Sequence, residues 1–335
     1  MGEPSFFEAY DEALTPLIAA NNLLQLVARA EDVGLLGALR EPSPVAELAA
    51  QVGVDADTAS TLCTALFAWG IVDEGEGGYR LTAPWRALTD DGAFVALGVA
   101  IAGGLVDGRL IRGGADTYWT MPSADRVAYA RSISPNPYSD ALVAAFRADM
   151  ENDPTLAPML DGGRLLELGC GVAGRILTTL RAAPKLHAIG VELTEDLAAV
   201  ARKRAEDLGV ADRFEVVCAD ATTFRADEPC DFGFWSQFFF PAATRPAALA
   251  VLMANLRSGA HMWAPLPAKH ELIAADPRGE EARTHALHRI VLGSWGVPER
   301  SADELAAELA DAGFVDVVVT DREGPKPTRV RARRP

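Results

Sequence analysis

The stretch LLELGCGVAGR, residues 165–175, decides the fold of this chain. It predicts a short apolar strand that runs into a glycine-rich turn and then into a helix over residues 176–182. Glycines at three positions (Gly169, Gly171 and Gly174) allow a tight turn and a close approach of the backbone to a ligand. The N-terminus of the predicted helix then points its free N–H groups at that ligand.

Two further predicted strands are followed by acidic residues. The strand over residues 186–191 leads into Glu192, 18 residues after Gly174, where a carboxylate accepts hydrogen bonds from both ribose hydroxyls of a nucleoside. The next strand, residues 214–218, ends in Ala219-Asp220-Ala221. A single glycine motif is weak evidence, but three strand ends in this order favour a nucleoside-binding α/β sheet.

Two acids indicate which nucleoside binds. Glu167 lies two residues before the first glycine, where a carboxylate suits a cationic ligand better than a pyrophosphate, and Asp220 suits an adenine amino group. Through E-x-G-x-G-x-x-G, Glu192 and Asp220, the chain resembles the class I S-adenosylmethionine (SAM)-dependent methyltransferases over roughly residues 160–320. The alternatives are a nicotinamide-dependent dehydrogenase and a loop whose glycines serve only turns.

The resemblance implies an α/β fold, a Rossmann-like class I methyltransferase sheet, with SAM as the cofactor. Phe146 belongs to an F-x-x-x-M segment similar to the one that covers the methionine end of SAM in O-methyltransferases; the alternative is core packing at i, i+4. The predicted cofactor-binding residues are Glu167, Gly169, Gly171, Gly174, Glu192, Leu193, Asp220, Ala221, Trp235, Ser236 and Phe146.

Composition limits the remaining possibilities. A chain of 335 residues is typical of two domains or one large one, and 49% hydrophobic residues suffice for a sizeable core. The net charge of −16 disfavours nucleic acid and anionic membranes as partners. The four cysteines have no C-x-x-C spacing, so we expect buried free thiols. Residues 1–5 form no cationic leader and no apolar run reaches membrane-spanning length, so we expect a cytoplasmic location.

Residues 1–90 predict a helical and winged-helix domain. Apolar periodicity indicates helices over residues 6–39. Ser43 is expected to cap a short helix with Pro44 at its first position, and Asp55 to cap a second helix. A hairpin with a turn at residues 73–78 follows. The buried set predicted for the first helices is Leu17, Leu23, Leu24, Leu26, Val27, Val33, Leu35, Leu36 and Leu39.

Charge excludes DNA as the partner of this domain. Residues 1–90 contain four arginines, no lysine and fourteen acidic residues, a net charge of −10, whereas DNA binding needs cations that neutralise phosphates. The arrangement resembles the N-terminal dimerisation domain of small-molecule O-methyltransferases, which implies a homodimer. A small α+β cap without this role is the alternative.

Residues 91–160 are expected to form a helical linker and active-site lid before a catalytic domain at residues 161–335. The apolar segment 94–106 predicts a buried helix. Loops at residues 116–122 and 134–138 carry candidates for the acceptor pocket or the lid. These candidates are Trp119, Asn136 and Tyr138.

The fourth strand, within residues 231–241, bears most directly on chemistry. In the O-methyltransferases that the chain resembles, this segment supplies a histidine that deprotonates the acceptor, but the matching position is Phe240. Its aromatic residues suit an apolar acceptor pocket or a cation–π contact with the sulfonium, or alternatively a corner of the core. The candidate catalytic residues are Gln237, Tyr138, Asn136 and His288.

The other histidines are weaker substitutes for a base. His187 lies within a strand, and His261 is expected to start the fifth strand after a turn at residues 257–259. His285 and His288 share a late helix at i, i+3 without an evident third ligand, so no metal site is expected. Residues 314–319 and 328–332 predict two closing antiparallel strands.

The sequence therefore predicts SAM-dependent methyl transfer to a small-molecule acceptor in specialised metabolism, without a histidine base at the usual position. The rival is a non-methylating enzyme on the same scaffold. Such an enzyme cyclises SAM to azetidine-2-carboxylate with release of methylthioadenosine, or acts as a pericyclase. A SAM-binding structural dimer is a third possibility, and the sequence does not identify the acceptor.

Overall fold

The computed structural model describes residues 5–89, 93–266, 270–320 and 328–335. The chain divides into two compact units, Met1–Ala102 and Gly103–Pro335. Residues 1–4, where the sequence predicts no cationic leader, lie outside the described residues. The predicted domain boundary at residue 90 also lies outside them. None of the described helices is long and apolar enough to cross a membrane.

The first unit is mainly helical, with one antiparallel hairpin of strands β1 and β2. Helix α1 continues through a π-helical turn at Tyr10–Leu14, and α7 extends into the second unit. The described elements are α1 (Phe6–Ala9), α2 (Thr15–Asp32), α3 (Leu35–Ala38), α4 (Val45–Val52), α5 (Ala56–Ala68), β1 (Val72–Gly75), β2 (Gly78–Leu81), α6 (Ala83–Leu88) and α7 (Leu97–Arg112). Their order is the one predicted for a winged helix, an assignment that stays a prediction.

Two local predictions for this unit were wrong. Ser43 does not cap α4, because its backbone exchanges hydrogen bonds of 3.1 and 3.0 Å with Tyr79; Pro44 is the N-cap instead. The hairpin turn is tighter than residues 73–78, since β1 extends to Gly75. Asp55 does cap α5 as predicted, accepting a hydrogen bond from the backbone of Thr58 at 2.8 Å.

The predicted burial of Leu17 was also wrong. Its side chain is 68% exposed, although the rest of the predicted set is buried or half-buried. Helix α1 and the π-helical turn contain no buried residue, so apolar spacing here marks a face that the described unit leaves open. The large exposed apolar residues of this face, which we call the N-terminal apolar face, are Phe6, Phe7, Leu14, Leu17 and Ile18.

The second unit contains the main sheet. Its described strands are β3 (Gly163–Leu168), β4 (Leu186–Glu192), β5 (Phe214–Cys218), β6 (Cys230–Trp235), β7 (Leu256–Leu266), β8 (Val315–Thr320) and β9 (Thr328–Arg333). Its described helices are α8 (Thr117–Thr120), α9 (Ser123–Ser132), α10 (Asp140–Asn152), α11 (Gly174–Ala182), α12 (Glu195–Asp207), α13 (Arg245–Asn255), α14 (His270–Ala275), α15 (Glu280–Ser294) and α16 (Ala302–Asp311), with 3₁₀ turns at Ala157–Asp161, Ala211–Arg213 and Gln237–Phe239.

The described strands form one seven-stranded sheet in the order β5-β4-β3-β6-β7-β9-β8. Strands β3 to β7 run parallel, and β9 pairs antiparallel with both β7 and β8, as the sequence predicts for the closing strands. The order reverses at β3, between β4 and β6. Ligands of open α/β sheets bind beyond the carboxyl ends of the strands at such a switch point.

Strands β3, β4 and β6 are buried on both faces of the sheet, since successive side chains point to opposite faces and most residues of these strands are buried. Leu166 and Leu168 pack in a cluster with residues of α13 and α16, whereas Leu165 packs in a second cluster with residues of α11 and α12. Burial on two faces explains why these strands appear as continuous apolar runs in the sequence. The predicted Rossmann-like fold is therefore confirmed.

Four predictions for residues 93–266 need correction. Strand β7 begins at Leu256, so residues 257–259 form an irregular part of the strand, where its register with β6 shifts. Residues 116–122 include the one-turn helix α8. Helix α7 starts only at Leu97, and Phe94 is 55% exposed because it precedes the helix. Cys218 is exposed, whereas the other three free thiols are buried.

Candidate active site

The glycine-rich turn joins β3 to α11 at the carboxyl edge of the sheet. Gly169 and Gly171 adopt left-handed conformations, with φ of 76° and 55°. A Cβ at Gly169 would lie 3.1 Å from the Phe240 ring, whereas one at Gly171 would meet no atom within 4 Å. Gly171 therefore places its backbone beside open space, and Gly169 makes room for the chain after β6.

Gly174 makes a close contact that the sequence does not predict. It is the first residue of α11, and a Cβ there would lie 2.1 Å from Ser134 Oγ and 2.3 Å from Pro135 O. The glycine is thus required by a contact within the chain, with the loop at residues 134–138. That loop sits against the start of the helix, where the sequence predicts only a ligand.

Glu192 closes the glycine turn from β4. Its Oε2 accepts a hydrogen bond from the backbone of Gly171 at 3.0 Å, and its Oε1 accepts from the backbone and hydroxyl of Thr194 at 2.9 and 3.0 Å. Burial raises the pKa of Glu192, against the opposing effect of these hydrogen bonds. Carboxylate oxygens accept more than one hydrogen bond each, so the side chain retains capacity for ribose hydroxyls. Leu193, next to it, is 55% exposed.

Glu167 is buried without comparable partners. The side chain is 3% exposed, its Oε2 has no hydrogen-bond partner among the described residues, and its Oε1 lies 3.5 Å from Ser236 Oγ. Burial raises the pKa of Glu167 to about 7, against an opposing effect of the Arg175 guanidinium. A buried, unpartnered carboxyl group costs free energy that a cationic ligand would recover. This oxygen therefore fits the positively charged end of a ligand.

The end of β5 provides a more exposed rim. The Oδ1 of Asp220 accepts hydrogen bonds from the backbone and hydroxyl of Thr222, at 2.8 and 2.7 Å, in an Asx turn. Ala221 is partly buried against the core. Cys218 is exposed, with its Sγ 3.7 Å from the carbonyl oxygen of Leu193. At this rim, Leu193 after β4 therefore lies next to Cys218 at the end of β5.

The end of β6 is fixed by a buried arginine that sequence reasoning missed. Arg245 is 1% exposed and lies with its guanidinium 4.6 Å from the centre of the buried Trp235 ring. It donates to both carboxylate oxygens of Glu308, at 2.7 and 2.6 Å, and to the backbone oxygen of Gln237 at 2.8 Å. These bonds connect the segment after β6 to α16, and nothing in the local sequence around Arg245 indicates a partner 63 residues away.

Gln237 is engaged at both ends of its amide. Its Oε1 accepts from Arg245 at 2.9 Å, and its Nε2 donates to the Pro265 oxygen at 3.0 Å. The side chain is buried, so it holds the ends of β6 and β7 together. These contacts fix the orientation of the amide, and the catalytic role of Gln237 stays a prediction.

Phe240 occupies the position at which the resemblance implies a histidine. The side chain is buried, its ring centre lies 5.6 Å from that of Trp235, and it also approaches Gly169. An apolar ring therefore fills the corner between the glycine turn and the end of β6.

A cavity of about 150 Å³ lies beyond the carboxyl ends of β6 and β7, between those strand ends and α15. His288 contributes to its wall, together with His270 and His285. The remaining lining residues are Gln237, Phe238, Leu266, Glu281, Thr284, Arg289, Leu292, Val297, Pro298, Glu299 and Arg300.

The other two catalytic candidates are not in the wall of this cavity. The Asn136 side chain accepts a hydrogen bond from the Tyr138 backbone at 3.1 Å, and the Tyr138 ring lies 5.7 Å from the Arg204 guanidinium of α12. Both residues belong to the loop against Gly174. The structure thus separates Asn136 and Tyr138 from Gln237 and His288, because the loop packs toward α11 and α12.

The F-x-x-x-M segment on α10 divides between core and surface. Met150 is buried in the core cluster beneath α11, as the core-packing alternative predicts. Phe146 is partly buried, with its ring centre 5.7 Å from the Arg175 guanidinium, which lies 3.7 Å above the Phe234 ring. Phe146 therefore contacts the first turn of α11 through Arg175.

A second buried arginine supports the glycine turn. Arg204 of α12 donates to the Val172 oxygen at 2.6 Å. Burial lowers the pKa of Arg204 to about 10. The only sequence signal for this role is a charged residue on the apolar side of α12, next to the buried Ala201 and Ala205.

The sequence around the glycine turn matches a known protein family. Residues 165–259 match the family model described as a methyltransferase domain. This segment is therefore similar to a methyltransferase domain. It includes the glycine turn, Glu192, the rim after β5 and the segment after β6.

Among curated proteins, the chain is 31% identical over 123 residues to the Escherichia coli K12 protein named "Uncharacterized protein YjhP". The match covers 35% of this chain and 49% of that protein, so it spans about half the length of the relative.

Solved structures share the fold over nearly the full chain. An O-methyltransferase family protein from Burkholderia thailandensis superposes with a TM-score of 0.69 at 16% identity, covering 99% of each chain. Human N-acetylserotonin methyltransferase in complex with SAM gives 0.70 at 14% identity, covering 100% of this chain and 99% of that one. The mitomycin 7-O-methyltransferase MmcR gives 0.69 at 18%, covering 98% of each.

Proposed function

We propose that this protein transfers a methyl group from SAM to a small-molecule acceptor. The observation that carries the proposal is the unpartnered Oε2 of Glu167, buried beside the glycine turn of the methyltransferase domain. SAM is cationic at its sulfur and its amino group, so a buried carboxyl group at this point fits its methionine end. The small-molecule acceptors in the names of N-acetylserotonin methyltransferase and mitomycin 7-O-methyltransferase support the choice of substrate class.

We divide the binding of SAM between three strand ends. We assign Glu167 of β3 to the amino group, and Glu192 and Leu193 at the end of β4 to the ribose hydroxyls and a face of the adenine. Asp220, after β5, is assigned to the amino group of the adenine. When bound, SAM supplies a methyl group that its positively charged sulfur has already activated. The protein's contribution is then to align the acceptor with that methyl group and to exclude water.

We further propose that methyl transfer uses no base from the end of β6. Phe240 fills that position with an apolar ring buried against Trp235 and Gly169. An acidic phenol, an amine or a stabilised carbanion needs little help in losing a proton, so such acceptors suit the site. The cavity beyond β6 and β7 is where we place the acceptor.

The test of cofactor binding is calorimetry on Glu192→Ala. The variant should bind SAM more weakly by roughly 1–3 kcal/mol, because the buried ribose hydroxyls lose their acceptor. Glu206→Ala is the matched control, since Glu206 is an exposed glutamate on α12 that the proposal does not place at the ligand. Equal affinities of the Glu192 variant and the unmodified protein would remove Glu192 from the binding site.

The rival activity, cyclisation of SAM, has its own product. Methyl transfer yields S-adenosylhomocysteine only when an acceptor is present, whereas cyclisation yields methylthioadenosine from SAM alone. A cavity of about 150 Å³ beside the strand ends favours methyl transfer, since cyclisation needs no room for a second substrate. Chromatography of an acceptor-free incubation decides between them, and methylthioadenosine above the spontaneous level would overturn the proposal.

Three broader assignments belong to the same proposal and rest on sequence. They are a homodimer through residues 1–90, a cytoplasmic location and a role in specialised biosynthesis. The N-terminal apolar face supports the homodimer, because exposed apolar residues of this size mark interaction surfaces.

A further inference from the structure

Three side chains with metal-ligand chemistry converge at the wall of the cavity. His270 is the first residue of α14, His285 lies on α15, and Glu299 lies between α15 and α16. Glu299 Oε1 is 3.3 Å from His285 Nε2 and 3.9 Å from His270 Nδ1. One ligand atom from each residue lies within 4.8 Å of the other two. We propose that His270, His285 and Glu299 form a binding site for one divalent transition-metal ion such as Zn²⁺.

The donor set suits zinc. Two imidazole nitrogens and one carboxylate oxygen are a familiar set of three protein ligands, which leaves a fourth position open. With metal–ligand bonds of about 2.0–2.1 Å, ligand atoms in a tetrahedral site lie about 3.4 Å apart. The pair from His285 and Glu299 already has this spacing, and His270 Nδ1, at 3.9 Å from the same oxygen, would have to approach it by about 0.5 Å.

The imidazole arrangement also argues against a simple ion pair. The His270 and His285 rings lie 5.5 Å apart at 71°, so they approach edge to face with no direct hydrogen bond between them in the structure. An ordinary His285–Glu299 ion pair needs no second histidine beside the same carboxylate oxygen. The presence of His270 at that oxygen is what a three-ligand site requires.

A neighbouring arginine orients the carboxylate. Arg289 Nε lies 3.5 Å from Glu299 Oε2, and its Nη1 donates to the Val297 oxygen at 3.2 Å. Arg289 thus holds the oxygen that faces away from the histidines and leaves Oε1 for the ion. Such outer contacts fix the orientation of metal ligands, although the charge of Arg289 itself opposes a cation.

The site has a chemical consequence that rests on the proposed function. The three ligands also line the acceptor cavity, so the open position on the ion is accessible to an acceptor oxygen. A hydroxyl bound there would lose its proton to solvent more readily. Methyl transfer would then break the sulfur–carbon bond of SAM and form the oxygen–carbon bond, with the ion unchanged. The ion would supply the activation that Phe240 does not.

The test is calorimetric titration of the full-length, EDTA-treated protein with Zn²⁺, without SAM or acceptor. We expect one ion per chain, and at least a tenfold loss of affinity in His285→Gln and in Glu299→Gln. His187→Gln is the control for an exposed histidine on β4, and Cys218→Ser is the control for the exposed thiol. Circular dichroism and melting temperature verify that each variant is folded.

The outcomes separate the site from the proposed function. Absence of zinc binding, unchanged affinity in both ligand variants, or loss of binding in Cys218→Ser would overturn the metal site. Zinc bound through His285 and Glu299 supports it, whether or not methyl transfer is found. A methylation assay with and without Zn²⁺ is scored separately. Absence of methyl transfer in both samples counts against the proposed function alone, whereas a lower rate with Zn²⁺ bound would overturn the activating role of the ion.

Discussion

Glu167 and Glu192 lie at the ends of adjacent strands, yet folding surrounds their carboxyl groups differently. Glu192 receives hydrogen bonds from Gly171 and Thr194, whereas Oε2 of Glu167 receives none from the described residues. A cation bound beside Glu167 would therefore favour the charged form of its carboxyl group, in addition to the effect of the Arg175 guanidinium.

The first prediction concerns the pH dependence of stability without ligand. Because the pKa of Glu167 rises from 4.5 to about 7 on folding, the folded protein binds more protons between these values than the unfolded chain does. Its contribution to the free energy of unfolding is therefore intact below pH 4.5 and is lost as the pH rises toward about 7. The full loss is on the order of 3 kcal/mol.

Urea unfolding at about pH 5 and about pH 8 measures this effect. Glu167→Gln should reduce the difference between the two pH values, while Glu228→Gln, an exposed glutamate, should not. The same slope in Glu167→Gln as in the unmodified protein would mean that other groups account for the dependence.

The second prediction concerns Phe240. Phe240→His should lower stability by about 1–3 kcal/mol, because a polar imidazole enters the packed corner between Trp235 and Gly169. It should not raise the rate of methyl transfer, and Phe240→Leu should retain it. Rates over a range of pH test this: a large gain in the histidine variant, with a new pKa typical of imidazole, would show that the reaction benefits from a base there.

Among the elements, the segment after β6 depends on a distant helix. Arg245, at the first residue of α13, connects Gln237 to Glu308 on α16 and stacks on Trp235. Gln237 lines the cavity, so this arrangement connects one residue of the cavity wall to α16.

The third prediction follows from that arrangement. Arg245→Met should destabilise the protein by about 3–5 kcal/mol, because it leaves the Glu308 carboxylate poorly paired. Arg257→Met is the matched control, since Arg257 is largely exposed beside Asp231 and such pairs contribute about 0–1 kcal/mol. Chemical denaturation measures both, and Arg245→Met combined with Glu308→Met should recover part of the loss. Equal costs for the two arginines would contradict the role assigned to Arg245.

At the scale of the whole molecule, the distribution of apolar and charged residues over residues 1–90 indicates which kind of partner the protein binds. Residues 1–90 combine a net charge of −10 with the N-terminal apolar face. The apolar residues favour a second protein surface, while the charge repels phosphate.

The fourth prediction is that the protein forms a homodimer and does not bind DNA. Light scattering at micromolar concentration should give twice the chain mass of 35.6 kDa, and Leu17→Glu should shift the protein toward the monomer. Leu193→Glu, at an exposed leucine of the second unit, is the control and should remain dimeric. A monomeric unmodified protein, or a salt-sensitive shift of duplex DNA, would contradict the two halves of this prediction.

The sequence predicted those features that depend on neighbours along the chain. Apolar runs and the glycine spacing located β3, β4 and β5 and the turn into α11, because strand alternation and backbone conformation are local properties. The same reasoning misplaced Ser43, whose backbone partner Tyr79 belongs to a hairpin that forms only in the folded unit.

The residues that the sequence did not predict have partners far along the chain. Arg245 bonds to a glutamate 63 positions away, and Arg204 to a carbonyl 32 positions away. His285 meets its partners only because α14, α15 and the segment after α15 converge. Pattern and spacing contain no information on such convergence, so these contacts could be found only in the folded structure.

The exposed thiol of Cys218 allows ligand binding at the proposed adenine site to be measured by chemical labelling. Three of the four thiols are buried, so an alkylating reagent should label one position per folded chain. That position adjoins the backbone of Leu193, where we place the adenine. A nucleoside seated there would shield the sulfur, and the rate of labelling would fall in proportion to the fraction of chains protected. Footprinting by mass spectrometry would then rank SAM, S-adenosylhomocysteine and NAD as ligands before any acceptor is known.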